Sequence, residues 1–189
     1  MKKTASVIAV LMILSACNHS GKDPVEKADS ANAVFRDAMP RELLQADKET
    51  ANFLVEAAES SVLQSQMSEL AFQKGLNQQL KSLAGKMMHD HSLMNESIKK
   101  LAEKLQVTVP HEPGDNNQKR IQELKAKDTR DFDRELTDAM VHIHEDELGL
   151  FNSASKKVNN ADVKSFIDNG LPQLKLHLDS LKLLQKILR

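Results

Sequence analysis

The chain has 189 residues, with 26 Lys and Arg against 27 Asp and Glu, a net charge of −1, six Phe, no Trp or Tyr, and one cysteine. Charge this balanced, with no dominant basic patch, argues against a nucleic-acid partner, and a lone cysteine excludes an internal disulfide or a thiolate metal cluster. Leu, Ala, Met, Lys, Glu and Gln are abundant; all are good helix formers, and an all-α fold is the expectation.

The chain begins with Lys2 and Lys3, followed by an apolar run from Ala5 to Leu14 broken only by Ser6. A spanning helix needs roughly 20 apolar residues, so this run reads as a secretion signal over residues 1–16. Leu14-Ser15-Ala16-Cys17 resembles the bacterial lipobox, which implies cleavage before Cys17 and lipidation of its thiol. Acyl chains, palmitate among them, hold a protein to a bilayer by about 0.8 kcal/mol per buried CH2. The membrane is then a partner through the lipid anchor, and no protein partner can be named. Asn18, rather than Asp, fits enteric-type sorting to the outer membrane, with the domain in the periplasm or at the surface. Without Lys2 and Lys3, 24 basic side chains face 27 acidic ones, a net of −3. About 170 residues remain, enough for one domain with a real core.

Residues 17–41 are polar and contain Gly21, Pro24 and Pro40, and read as a lipidated N-terminus and flexible tether. Val34, Phe35 and Met39 allow a short helix within it. The remainder, 42–189, reads as the helical domain. A first helix is expected over 47–73 and a second over 76–105. Pro110, Pro113 and Gly114 mark a loop. A charged helical stretch over 119–127 leads into a third helix from Thr129 to about Val158. Asn159 and Asn160 make a turn. Helix resumes at Ala161, Gly170 and Pro172 interrupt it, and a final helix begins at Pro172. Long segments with mostly short joins predict a four-helix up-and-down bundle, with a long connection after the second helix that also suits ferritin-like wiring.

Apolar residues in the second helix recur at steps of three and four: Leu76, Leu80, Leu83, Met87, then Met94, Ile98, Leu101 and Leu105. The one gap of seven is filled by His91, four after Met87 and three before Met94. Such spacing shares a face, so His91 points inward, while His89, roughly 200° round the helix, points to solvent. His144 lies four after Met140 and four before Leu148 in the third helix, with His142 on the other side near Asp138, Glu145 and Asp146. His177 sits three after Leu174 and four before Leu181 in the last. A single core histidine is usually a satisfied polar group. Three on three buried faces can instead share one partner, and neutral imidazole ligates Zn, Cu, Fe and Ni. The cofactor expectation is therefore one transition-metal ion, Zn, Cu or Fe, at His91, His144 and His177. The first helix adds Gln64 at a core-facing position. Met67, Met87, Met94 and Met140 also face inward; core packing is their plainer role, and thioether ligation of reduced copper the functional alternative. Glu145, Asp146 and Glu147 read as a solvated charged face. No phosphate loop or ordered nucleophile is visible, so catalysis has no sequence support.

Three stretches carry a resemblance to a known family: 86–92, Lys-Met-Met-His-Asp-His-Ser, similar to "R-M-V-x-D-H-T"; 131–136, Asp-Phe-Asp-Arg-Glu-Leu, with His144 and Leu150-Phe151, similar to "F-D-x-x-Y-L … H … L-F"; and 171–178, Leu-Pro-Gln-Leu-Lys-Leu-His-Leu, similar to "L-P-x-L-x-x-H-L". Residues 57–188 resemble the domain of unknown function 4142 family, outer-membrane or secreted bacterial proteins. The resemblance implies a ferritin-like bundle and maps the family's recurring histidines onto His91, His144 and His177. Gln64 stands where the family usually has Glu, and Glu135 where it has Tyr. A ferritin-type di-iron site uses Glu-x-x-His pairs that these stripes lack. The leading expectation is an envelope lipoprotein whose bundle binds or senses, through a histidine metal site. A metal-dependent oxidoreductase of ferritin-like type and a structural or stress-linked envelope protein without ligand are the alternatives.

Overall fold

The structure is a computed structural model that describes residues 21–41 and 44–189. Cys17 and the expected signal segment 1–16 lie outside the described residues. The described residues are helical, with no strand among them, and form six helices: α1 Pro24–Ala38, α2 Lys48–Lys74, α3 Gln78–Leu105, α4 Asp115–Ala126, α5 Thr129–Lys157 and α6 Ala161–Ile187. None is long and apolar enough to cross a membrane.

The helix starts are written into local chemistry. Asp47 accepts from Thr50 N at 2.7 Å, Asn77 from Gln79 N and Leu80 N at 2.8 and 3.0 Å, and Asn160 from Asp162 N and Val163 N at 3.1 Å. Each side-chain oxygen satisfies backbone N–H groups that the first turn leaves without a partner. Helix α3 ends on Gln106 in the left-handed region (φ 56°), and Val107 N reaches back to Ala102 O at 2.9 Å. The short α2–α3 turn is pinned from α5: Asp133 accepts from Leu76 N at 3.1 Å and Asn77 N at 2.7 Å.

The tether reading of 17–41 does not hold for residues 24–38, which form α1. Asp23 caps it, accepting from Val25 N at 2.8 Å, and Pro24 opens it with φ already suited to a helix. It docks by polar reach rather than an apolar stripe: Asn32 donates to Thr108 O at 2.9 Å and accepts from Thr108 N at 2.7 Å, while Ala28 enters the core. The expected break at Gly170 and Pro172 is also absent; α6 runs through both. A proline there loses one backbone hydrogen bond, but the buried stripe Val163, Ile167, Leu174, Leu178, Leu181 and Leu184 continues across it. Gly170 lets α6 approach α5, since a Cβ there would stand 2.9 Å from Phe151 Cε1. The charged stretch 119–127 lies largely within a separate helix, α4, anchored by Glu59, which accepts from Gly114 N at 2.9 Å and Asn117 Nδ2 at 2.8 Å.

The four long helices α2, α3, α5 and α6 enclose the core, α2 against α3 and α5, α6 against α5 and α3; α1 lies on α2, and α4 on α2 and α5. The apolar core falls into two clusters. One is built round Phe53, Leu54, Ile98, Phe151 and Ile167, with Phe53 and Phe151 edge to face at 5.2 Å. The other holds Met67, Leu80, Met87, Phe132, Leu136, Met140 and Leu181. Every long helix passes from one cluster to the other at a polar residue: Ser61 and Gln64 on α2, His91 on α3, His144 and Glu147 on α5, His177 on α6. The polar layer between the clusters is the site.

Candidate metal centre

His91, His144 and His177 are 0, 0 and 1% exposed. Their ring centroids stand 5.3 Å (91–144), 5.3 Å (91–177) and 5.7 Å (144–177) apart. One ligating nitrogen from each lies within 4.8 Å of the others, and no other group of three His, Cys or carboxylate donors is so close among the described residues. The three histidines singled out from the sequence therefore meet at one depth.

Second partners set the tautomers. His144 Nδ1 stands 2.8 Å from Met140 O. A carbonyl only accepts, so Nδ1 carries the proton and Nε2 presents its lone pair. That Nε2 faces His91 Nε2 at 3.3 Å. His177 Nε2 stands 2.9 Å from Asp90 Oδ2, which also accepts from Gln173 Nε2 at 2.6 Å. The carboxylate only accepts, so His177 Nε2 donates to Asp90, with Gln173 Nε2 also 3.0 Å from that nitrogen, and Nδ1 keeps its lone pair, buried without a hydrogen-bond partner. His91 Nδ1 is likewise buried without a partner. Ligating histidines commonly tie their outer nitrogen to a carbonyl or carboxylate in this way. Bonds of ~2.0–2.1 Å at a tetrahedral angle put two ligand nitrogens ~3.4 Å apart, close to the 3.3 Å between His91 and His144.

The electrostatics keep the rings neutral. Burial, then the two neighbouring imidazoles, hold His91 well below the ordinary histidine value. Burial lowers His144 to about 3, against the raising effect of the Met140 carbonyl. His177 is also lowered, burial outweighing Asp90. Neutral imidazole is the form that binds metal. These three side chains can hold a transition-metal ion; its identity is not fixed by the donor set, which suits Zn, Cu, Fe or Ni.

The other candidates take different places. Gln64 is buried and donates to Glu147 Oε2 and, at 3.5 Å, to Ser60 Oγ. Met67, Met87 and Met140 pack in one apolar cluster and Met94 in the other. His89 and His142 are exposed, His142 beside Glu145 at 3.7 Å. Glu147 departs from the solvated face expected of it: it is 2% exposed, and burial pushes its carboxyl up to about 8 against hydrogen bonds from Ser60 and Gln64. Its position, three after His144 and four before Phe151, was the sequence signal for burial. Asp90 and Gln173 were also missed; Gln173 sits one turn before His177 on α6.

The family described as Domain of unknown function (DUF4142) matches residues 37–184, which include all three histidines. The chain belongs to this family. Neither a curated protein nor a solved structure matches the chain. Membership thus extends the resemblance seen in the three motifs without adding an activity.

Proposed function

We propose that this DUF4142 protein is an exported envelope lipoprotein, anchored through Cys17, whose domain binds one transition-metal ion at His91, His144 and His177. The observation that carries the reading is the convergence of three neutral, buried imidazoles, two of them oriented by Met140 O and Asp90. In this reading α2, α3, α5 and α6 make a four-helix, ferritin-like bundle with α1 and α4 as additions, and the metal sits between its two apolar clusters. The site binds or senses rather than turns over substrate. Its donors are three imidazoles, and the nearby acids are already engaged, Asp90 by His177 and Gln173, and Glu147 by Gln64 and Ser60.

Two experiments test the two halves. Protein expressed without a histidine tag is analysed for metals and titrated with Zn(II), Cu(I), Fe(II) and Ni(II) after chelation. One equivalent bound per chain, lost in His91→Leu with the helical content unchanged, is expected; no metal above trace and no uptake would remove the site. For the anchor, Cys17→Ser should move the protein from the membrane fraction to the soluble fraction, and an unchanged membrane fraction would refute lipidation.

A further inference from the structure

The three donors of the histidine centre are neutral imidazoles, and no carboxylate or thiolate joins them within 4.8 Å among the described residues. The rings are at most 1% exposed and lie between the two apolar clusters, so water screens little of any charge placed among them. One anion stands a single hydrogen bond away: Asp90 Oδ2, 2.9 Å from His177 Nε2, on a side chain 19% exposed. The other polar side chains of the layer add no charge. Gln64 is an amide, and Ser61 is a hydroxyl that donates to His91 O at 2.8 Å. Burial pushes the Glu147 carboxyl up to about 8, so it is protonated at neutrality. Lys86, exposed on α3, adds positive potential at His177.

We infer that the centre takes a soft monovalent cation, Cu(I), on its three imidazoles and discriminates against divalent ions by charge. The inference rests on the metal-binding reading above and names its ion. With Cu(I), the charge of the ion and that of Asp90 balance across one imidazole. A divalent ion leaves a further positive charge in an apolar interior, next to the potential of Lys86, and an unpaired buried charge is strongly disfavoured. It reaches balance only by bringing a hydroxide or another anion with it. Coordination number argues the same way. Zinc sites are almost always four-coordinate, whereas the chain brings three nitrogens together. Copper accepts imidazole readily, and Cu(I), with a filled d shell, is content with three donors. Met87 and Met140, four residues before His91 and His144, put polarizable side chains in the adjoining cluster, surroundings that suit a soft ion.

The test uses the full chain, freed of metal and handled without oxygen, with Cu(I), Ag(I) and Zn(II) as probes. Ag(I) shares the charge and filled d shell of Cu(I) without its sensitivity to oxygen. One equivalent of Cu(I) or Ag(I) per chain is expected, retained against a ~100-fold excess of Zn(II). X-ray absorption of the Cu(I) form should show nitrogen neighbours and no sulfur. His91→Leu should abolish the uptake; retention there would put the ion on methionines and overturn the inference. Asp90→Asn, at a partly exposed position, should keep its helical content and weaken Ag(I) by about tenfold or more. Full affinity in that variant would show that the carboxylate balances nothing, and the inference would fall. Displacement of Ag(I) by an equal concentration of Zn(II) would overturn the choice of ion and leave the metal centre standing. No uptake of any of the three ions would remove the centre itself.

Discussion

Glu147→Gln should make the metal-free protein more stable, and by an amount that grows with pH. Burial raises this carboxyl from 4.5 to about 8. Between those values the folded state holds a proton that the unfolded chain has released, so wild-type stability falls as pH rises through the interval. Each unit of separation is worth about 1.4 kcal/mol. At pH 4.5 the cost to the wild type is about 0.4 kcal/mol, and at pH 6.5, two units above the unfolded value, about 2.7 kcal/mol. Gln carries no proton to lose and keeps the contact with Ser60 and Gln64 in reach. The stability of the variant relative to wild type should therefore rise by about 2 kcal/mol between pH 4.5 and 6.5, and further to pH 8. Urea unfolding in the presence of a chelator, at a series of pH values, reads this directly as the separation of two midpoints at constant slope. Curves that stay parallel across the range would show that Glu147 titrates in the fold as it does in the open chain, and that its burial is wrong.

In the Glu147→Gln background the histidines should dominate the acid limb: His144, lowered from 6.5 to about 3, stays neutral in the fold while the unfolded chain gains a proton, so stability should drop by about 2 kcal/mol or more from pH 6.5 to 4.5, and a flat urea series would contradict it. Asp90→Asn should leave the fold in place but weaken metal binding by roughly 10–100-fold, because it removes the carboxylate that orients His177; unaltered affinity in a competition titration with a chelating dye would count against the centre. Gly170→Ala should lower the melting temperature despite the better helix propensity of Ala, since its Cβ would come within 2.9 Å of the fully buried Phe151 ring and such overpacking costs about 1–3 kcal/mol. A rise in the melting temperature would mean that α5 and α6 can part without loss.

What the sequence disclosed was whatever one helix decides alone. The gap in the α3 stripe placed His91 inside, and the same step pattern placed His144 and His177, because burial repeats every three to four residues within a helix whatever lies opposite. The failures lie where a partner far along the chain decides. Helix α1 buries only Ala28 and Asn32, so it has no stripe to read, and its docking rests on Thr108, 76 residues away. Pro172 broke the expected last helix because its local cost is real, yet a stripe that continues on both sides outweighs one missing hydrogen bond. Glu147 was misplaced for the opposite reason: its spacing indicated burial, but its residue type, beside Glu145 and Asp146, suggested solvent. Asp90 was invisible because it reaches His177 on another helix at 2.9 Å.

The polar layer holds side-chain atoms that no other protein group bonds, and a bound ion at the imidazoles would give part of them a partner. Buried side-chain atoms in native proteins are nearly always hydrogen-bonded, and an orphan costs about 1–3 kcal/mol. Of the six orphans among the described residues, four belong to this layer: Gln64 Oε1, His91 Nδ1, Glu147 Oε1 and His177 Nδ1. An apolar layer of Leu and Met would have joined the two clusters into one core without that cost. Random polar intrusion would scatter its orphans along the helices, each beside its own neighbour. Two of the six, Ser68 Oγ and Asn95 Oδ1, lie outside the layer; within it Gln64 Oε1 and His177 Nδ1 are acceptors without partners. A metal ion at the imidazoles would supply the electron-pair acceptor that the His177 Nδ1 lone pair lacks.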